Sequence, residues 1–547
     1  MRYLTLVFAL MLSLAAHAQT LVTTSTSTSL ADTLTAFGAS GGTLLVVTHV
    51  PVTADITIPS NIEVRCQAGG GFDLSNGATL TVAGPLQSPL GQCFFPIAPT
   101  PGQVRFAQPL TASAKWWGAQ CSSADDKLPF TYALNSFLNP GGTVQVDCSM
   151  TINNSSGGMD IHGFQGSVVA NGNATINFTD QGSSGLNFED SPGMSVVGLT
   201  LQYPASSGDT GHILLSFGSS SPTAPVSKNI RVNHVTLNNA PGFSLYFGLV
   251  SGWSATNIRI NSSARDGVHA DSSAGPIVDN IHCENVGDDC VSLVEGSTSI
   301  HGGRGTISNV YAKHSWGCVN IDGASFVSVT GVVCEDNQGT SGPIKLFKDG
   351  SSANYPANVT FSNISIKDAE GPCIYVLGDT GSAVAGTFNG VTCTNTRSDV
   401  TPSAIRIENG TLANVTFNSV SVTENHGTCF ELLGSGSVFL NTVSAANCGG
   451  GGVLVNGSAN IVGKGISIWN ASTSGGLHRS LWIDGASYVN IDGLQVTDTQ
   501  ATPTGYNSGI SAASAVGRIS YSFVEIDTAH MMNFYNGTTG IVATHVQ

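Results

Sequence analysis

From about residue 186 the chain repeats one short phrase: a small residue, a few alternating apolar and polar positions, then a polar turn. Copies read Gly185-Leu186-Asn187-Phe188, His212-Ile213-Leu214-Leu215, Ser244-Leu245-Tyr246-Phe247, Gly267-Val268-His269-Ala270 and Cys290-Val291-Ser292-Leu293, and they continue to Ser480-Leu481-Trp482-Ile483. Steps between copies range from 23 to 32 residues. A second phrase lies between them, as in Val278-Asp279-Asn280-Ile281 and Ile307-Ser308-Asn309-Val310. Two or three short strands per repeat, at a period in the twenties, predict a parallel β-helix whose coils bury their apolar faces only by stacking. A β-sandwich would instead show turn signals roughly every 8–12 residues.

Stacking in register predicts two inward columns. One holds Val268, Val291, Val319, Ile344, Ile374, Ile405 and Phe430; the other holds Ala270, Leu293, Ile321, Leu346, Val376, Ile407 and Leu432. Strand alternation turns the residue between them outward. That outward row is Tyr246, His269, Ser292, Asn320, Lys345, Tyr375, Arg406, Glu431, Leu454 and Trp482. It is rich in aromatic and charged groups, as a sugar-binding groove is; the plainer reading is a solvated sheet face.

The ends differ. Residues 1–18, with Arg2, an apolar run and Ala16-His17-Ala18, read as a secretory signal too short to span a bilayer. Residues 19–112 read as a small β-rich region, and 113–547 as the β-helix, with the motif-bearing coils at 243–350. A helix near Leu128–Leu138 is the expected cap of the solenoid, and Asp125-Asp126 is expected to serve its N-terminus. Charged residues are 10% of the chain and the net charge is −16. Ordinary domains carry about 25% charge, so the composition suits a turn-rich β-structure. The acidic balance disfavours nucleic acid and anionic membranes as partners. Twelve cysteines in a chain read as exported predict disulfides, with Cys66 and Cys93, Cys121 and Cys148, Cys373 and Cys393, and Cys429 and Cys448 at similar separations. Cys290 has two candidate partners, Cys283 and Cys318. No CxxC pair or histidine-rich cluster calls for a metal, and no cofactor is expected.

The chemistry concentrates at Asp266, Asp288 and Asp289. Asp266 and Asp289 each stand two residues before an inward valine, so coils about 4.8 Å apart bring them together. Carboxylates so close cannot all ionise cheaply, and at least one pKa rises. A protonated carboxyl beside ionised ones is the equipment of glycosidic hydrolysis. Turn capping and calcium ligation are the competing roles.

Asp266-Gly267 followed by Gly287-Asp288-Asp289-Cys290-Val291 resembles the polygalacturonase family of glycoside hydrolases (family 28), and Trp116-Trp117-Gly118-Ala119 resembles the opening of many pectate-lyase-superfamily proteins. The resemblance implies a right-handed single-stranded parallel β-helix, all-β, that hydrolyses a pectin-type polysaccharide with inversion; the signal segment makes a secreted protein the expectation, and a monomer is expected. It implies Asp288 as general acid, with Asp266 and Asp289 activating water. His269, His314, Lys345, Tyr375 and Arg406 are the expected substrate contacts. The chain departs from the family pattern at Ala264-Arg265-Asp266, at Trp316-Gly317, where a histidine is expected, and at Pro343-Ile344-Lys345, which lacks one basic group. Galacturonan, rhamnogalacturonan and neutral glycans stay open as substrates. The alternatives are a calcium-dependent lyase with Lys345 as base, and a glycan-binding β-helix without turnover.

Overall fold

Register decides this architecture, because a one-residue slip would turn every apolar side chain out of the coil. In the computed structural model the two inward columns form as expected: Val268 pairs Val291, Val291 pairs Val319, and the ladder runs on through Ile344, Ile374, Ile405 and Phe430, all parallel. These seven are fully buried. Side-chain and backbone placement is described for 29–498 apart from short internal stretches, the longest at 221–226, 297–302, 349–355, 397–402 and 472–479; elsewhere only the backbone of Leu21–Thr23 and of four strands beyond 498 is described. The expected signal segment, 1–18, lies outside the described residues. No described helix is long and apolar enough to cross a membrane.

The chain divides into two compact units, Met1–Thr179 with Pro192–Leu199, and Asp180–Ser191 with Thr200–Gln547. In the first, residues 42–106 are already regular coils. Gly42–Val46, Ile62–Cys66 and Leu86–Gln87 pair in parallel, and so do His49–Val52, Gly71–Leu74 and Phe94–Pro96. The expected helix is present at Lys127–Asn135, burying Phe130, Ala133 and Leu134. It lies against strands from both directions of the chain, Gln103–Phe106 and Met159–His162. A further helix, Leu30–Phe37, capped by the Ser29 hydroxyl on the Asp32 N–H, packs on His49–Val52 nearer the N-terminus. Asp125 accepts from the Lys127 N–H at 3.0 Å, as a helix-terminal residue should. Asp126 instead binds the amides of Gln120 and Cys121.

In the second unit, short strands form the ladder just described, and long strands such as Ser251–Ser263 and Ala274–Val286 form a second one. In three successive coils the long strand bends at an asparagine in the left-handed region, Asn257, Asn280 and Asn309 (φ 54°, 55° and 53°). Asparagine tolerates that conformation better than most residues, and Asn280 Nδ2 donates to Asn257 Oδ1 at 2.7 Å. One expected alignment is corrected by two residues. Leu186 pairs Leu215 rather than Ile213, and Leu215 pairs Leu245. The slip keeps inward positions inward and stacks Phe188, Phe217 and Phe247 at 5.7 and 5.3 Å between rings. Six disulfides form, including the four pairs at similar separation, and Cys290 bonds Cys283, which leaves Cys318 to Cys334. Such a set fits an oxidising compartment.

Candidate active site

Asp266 precedes the strand Val268–Asp271, and Asp289 opens the strand Asp289–Val294 on the next coil. The Gly267 N–H donates to the Asp289 carbonyl at 2.8 Å, and the Asp289 N–H donates to Asp266 Oδ1 at 2.9 Å. Backbone pairing therefore sets one carboxylate on the other's amide. Asp288 sits in the turn between two sheets, bracketed by the Cys283–Cys290 disulfide. Gly287 makes that turn close-fitting: a Cβ there would lie 2.3 Å from the Ala264 carbonyl oxygen. One oxygen from each of Asp266, Asp288 and Asp289 lies within 4.8 Å of the others.

Their environments differ. Asp266 and Asp289 are buried, whereas the Asp288 side chain is half-exposed. Lys345, buried despite its outward position, brings its ammonium 3.1 Å from Asp289 Oδ2 and 3.4 Å from Asp288 Oδ1. Asp289 Oδ1 is closer still to the ammonium, at 2.9 Å, but is poorly angled and receives no hydrogen bond. Burial, then repulsion from Asp266 and Asp288, pushes the Asp289 carboxyl up to about 8 against the pull of Lys345. Asp288 is also raised, by desolvation and by the Asp266 charge. Burial alone would lower Lys345, but Asp289 and Asp288 together hold it above the usual lysine value. The cluster thus retains a proton among its carboxyls and a cation beneath them. Carboxylate donors suit a divalent cation; here an ammonium already stands against two of the three.

Gly317 is the residue that makes room. It lies opposite Asp289 in the ladder, and a Cβ on it would fall 1.8 Å from Asp289 Oδ1 and 3.2 Å from Lys345 Cε. Above the cluster opens a cavity of about 490 Å³, whose walls include Asp209, Phe243, Arg265, Trp316 and Asp322. A neighbouring cavity of about 580 Å³ is lined by Asn187, Glu189, Tyr246 and Asp271. His269 separates them in part: its Nδ1 is 2.6 Å from Asp266 Oδ2, and its ring stacks flat on Tyr246 at 5.4 Å.

The other expected contacts lie elsewhere. His314 stands in a turn with Nε2 2.9 Å from Asp336 and does not line the cavity. Lys345 lies beneath the carboxylates, with a side chain 5% exposed, so it is not the surface contact anticipated for substrate charge. Tyr375 donates to Glu408 at 2.7 Å, and Arg406 pairs with Glu408 at 3.0 Å and stands 3.8 Å from Glu431. Neither lines the cavity over the aspartates. Sequence reasoning missed Asp209, Phe243 and Asp322. Asp322 was within reach, since it is one outward step beyond Asn320 on the same strand; Asp209 and Phe243 come from turns with no strand signal.

No family model matches this chain. The likeness to polygalacturonases read from the aspartate motifs is borne out by a curated relative named Polygalacturonase, from Juniperus ashei, 26% identical over 236 residues. The match takes in 40% of this chain and 41% of that protein, so the chain spans about two fifths of its relative. Similar solved structures include the Agl-KA catalytic domain (TM-score 0.44, 14% identity, 80% of this chain and 69% of that one). Another is a hyperthermoactive exopolygalacturonase from Thermotoga maritima (TM-score 0.39, 12% identity, 72% of this chain and 93% of that one). A third is the family 28 exopolygalacturonase of Yersinia enterocolitica (TM-score 0.38, 12% identity, 79% of each).

Proposed function

We propose that the protein is an exported glycoside hydrolase that cleaves a polysaccharide by carboxyl acid–base catalysis. The observation that carries this reading is the convergence of three carboxylates from adjacent coils at the floor of an open cavity, one half-exposed and two buried. Asp288 faces the cavity with its pKa raised by desolvation, so it is the proton donor to the glycosidic oxygen. As that C–O bond breaks, a water positioned by Asp266 and Asp289 attacks the anomeric carbon and gives its proton to the Asp266 carboxylate, since the Asp289 carboxyl, pushed up to about 8, holds its own proton at neutral pH. His269 holds Asp266 in place, and Lys345 pulls against the rise of the Asp289 carboxyl without touching the sugar.

The named polygalacturonase relative supports a polysaccharide hydrolase with galacturonan, rhamnogalacturonan and neutral glycans as candidate substrates, and the Gly-Asp-Asp-Cys segment supports the same assignment of roles. Burial supports inversion: Asp266 and Asp289 are each under a tenth exposed, so neither reaches the anomeric carbon as a covalent nucleophile. One oxygen of each lies within 4.8 Å of one on Asp288, short of the roughly 6.5–9.5 Å usual for inverting pairs and nearer the roughly 5–5.5 Å of retaining ones, so it is burial and not spacing that supports inversion. The elimination alternative requires Lys345 as a neutral base, and a lysine held charged by two aspartates disfavours it.

The test is reducing-end release from a panel of pectic and neutral polysaccharides by wild type and Asp288→Asn. General acid catalysis contributes about 10²- to 10⁴-fold, and a loss of that size is expected. Turnover unaffected by the substitution would remove the mechanism.

A further inference from the structure

Resting on the hydrolase reading, we infer that the sugar seated over the aspartates is uncharged, and that Trp316 is the platform it stacks on. Five aspartates line the cavity: Asp209, Asp266, Asp288, Asp289 and Asp322. Among the described lining residues the permanent positive charge is Arg265, and it is engaged. Its Nε lies 2.8 Å from Asp209 Oδ2, and its guanidinium rests over the Phe243 ring at 5.4 Å. A further cation, Lys345, is buried and bound to Asp289 and Asp288. A uronate carboxylate entering here finds the cations named above already engaged and must compete with Asp209 for the one guanidinium among the described lining residues. The adjoining cavity has Glu189 and Asp271 and neither lysine nor arginine among its described lining residues.

Trp316 supplies what the charges do not. Its side chain lines the cavity while the residue is 51% exposed, an unusual surface for so large an apolar group. Its backbone is nonetheless fixed. The buried Asn337 donates through Nδ2 to the Ser315 carbonyl at 2.8 Å and to the Trp316 carbonyl at 2.5 Å. The Trp316 N–H donates to the Val286 carbonyl at 3.1 Å, and the N–H of Gly317, on its other side, donates to the Asp288 carbonyl at 3.0 Å. An indole left open to solvent on a rigid turn beside the proton donor presents a flat apolar face to the C–H face of a pyranose. That contact selects by shape and needs no ligand charge.

Polymers differing only at C6 test this: polygalacturonate against its carboxyl-reduced galactan, polyglucuronate against the matching glucan, and polymannuronate against mannan, with chitosan as a cationic control. Tryptophan fluorescence reports binding, and reducing ends report cleavage. The neutral member of at least one pair is expected to bind more tightly and to be cleaved with the lower KM. Trp316→Ala should raise that KM about tenfold with a smaller effect on kcat, and Trp316→Phe should restore most of it. Asp209→Asn, which frees Arg265, should move the preference several-fold toward the uronate member. Preference for the uronate members or for chitosan in the wild type overturns the inference, as does a Trp316→Ala KM equal to wild type. Neutral polymer bound without release of reducing ends sinks the hydrolase reading alone; no binding of any polymer sinks both.

Discussion

Replacing Lys345 by methionine separates charge from packing at the heart of this site. Methionine keeps most of the apolar stem, so the change removes an ammonium 2.9 Å from Asp289 Oδ1 and 3.4 Å from Asp288 Oδ1 and little else. Taking one partner from a buried ion pair costs about 3–5 kcal/mol because the other charge is left uncompensated. That figure applies near pH 8 and should not survive acidification. Asp288 and Asp289 both have folded pKa values above the usual 3.8. Stability contributed by such groups is fully present below the unfolded value and is lost as pH rises through the folded one, about 8 for Asp289. Lys345 moderates that loss, so without it the folded carboxyl values climb further and the decline with pH steepens. At pH 4 the Asp289 carboxyl is protonated in the variant, and a neutral acid needs no cation. Wild type at that pH instead carries a buried ammonium facing a neutral Asp289. Unfolding of both proteins in urea, followed at pH 4 and pH 8, should therefore show a large deficit for Lys345→Met at pH 8 that vanishes or reverses at pH 4. An equal deficit at both values would refute the electrostatic account and leave the lysine as packing.

Gly317→Ala puts a methyl 1.8 Å from Asp289 Oδ1; overpacking of this kind costs about 1–3 kcal/mol, and turnover should fall further than stability because Asp289 must move off its partners. Activity should decline as pH rises through the Asp288 pKa, since the raised carboxyl must be protonated to act as donor; a rate that climbs through neutral pH would contradict that role. NMR of the first-formed anomer should show inversion, and retention would mean that a carboxylate reaches the anomeric carbon. Removing the Cys283–Cys290 disulfide, which closes a loop of sequence separation 7, should cost about 2 kcal/mol. It should also lower turnover, because Asp288 and Asp289 lie inside that loop.

What the sequence determined is what periodicity and alternation carry. A strand period of two and a coil period in the twenties were enough to name both inward columns, the outward row and the stacking of Asp266 on Asp289. Each depends only on counting from one paired residue to the next. The one misaligned coil obeys the same physics with more partners in view. Ile213 and Leu215 share the inward parity, so counting alone does not choose between them as the partner of Leu186. The Phe188–Phe217–Phe247 stack makes the choice, and it falls on Leu215.

Tertiary structure decided what outward-facing side chains do once they leave the backbone. Lys345, Tyr375 and Arg406 occupy one row, yet Lys345 folds under two aspartates two coils away while Arg406 is taken up by Glu408 and Glu431. Strand parity gives a direction but no reach, and the partner of a long charged side chain depends on what neighbouring coils and turns offer. Asp209, Phe243 and Trp316 entered the cavity from turns, where no repeating pattern constrains the chain. The scaffold was therefore legible residue by residue, and the chemical character of the trough was settled only by which charges the folded coils had already matched.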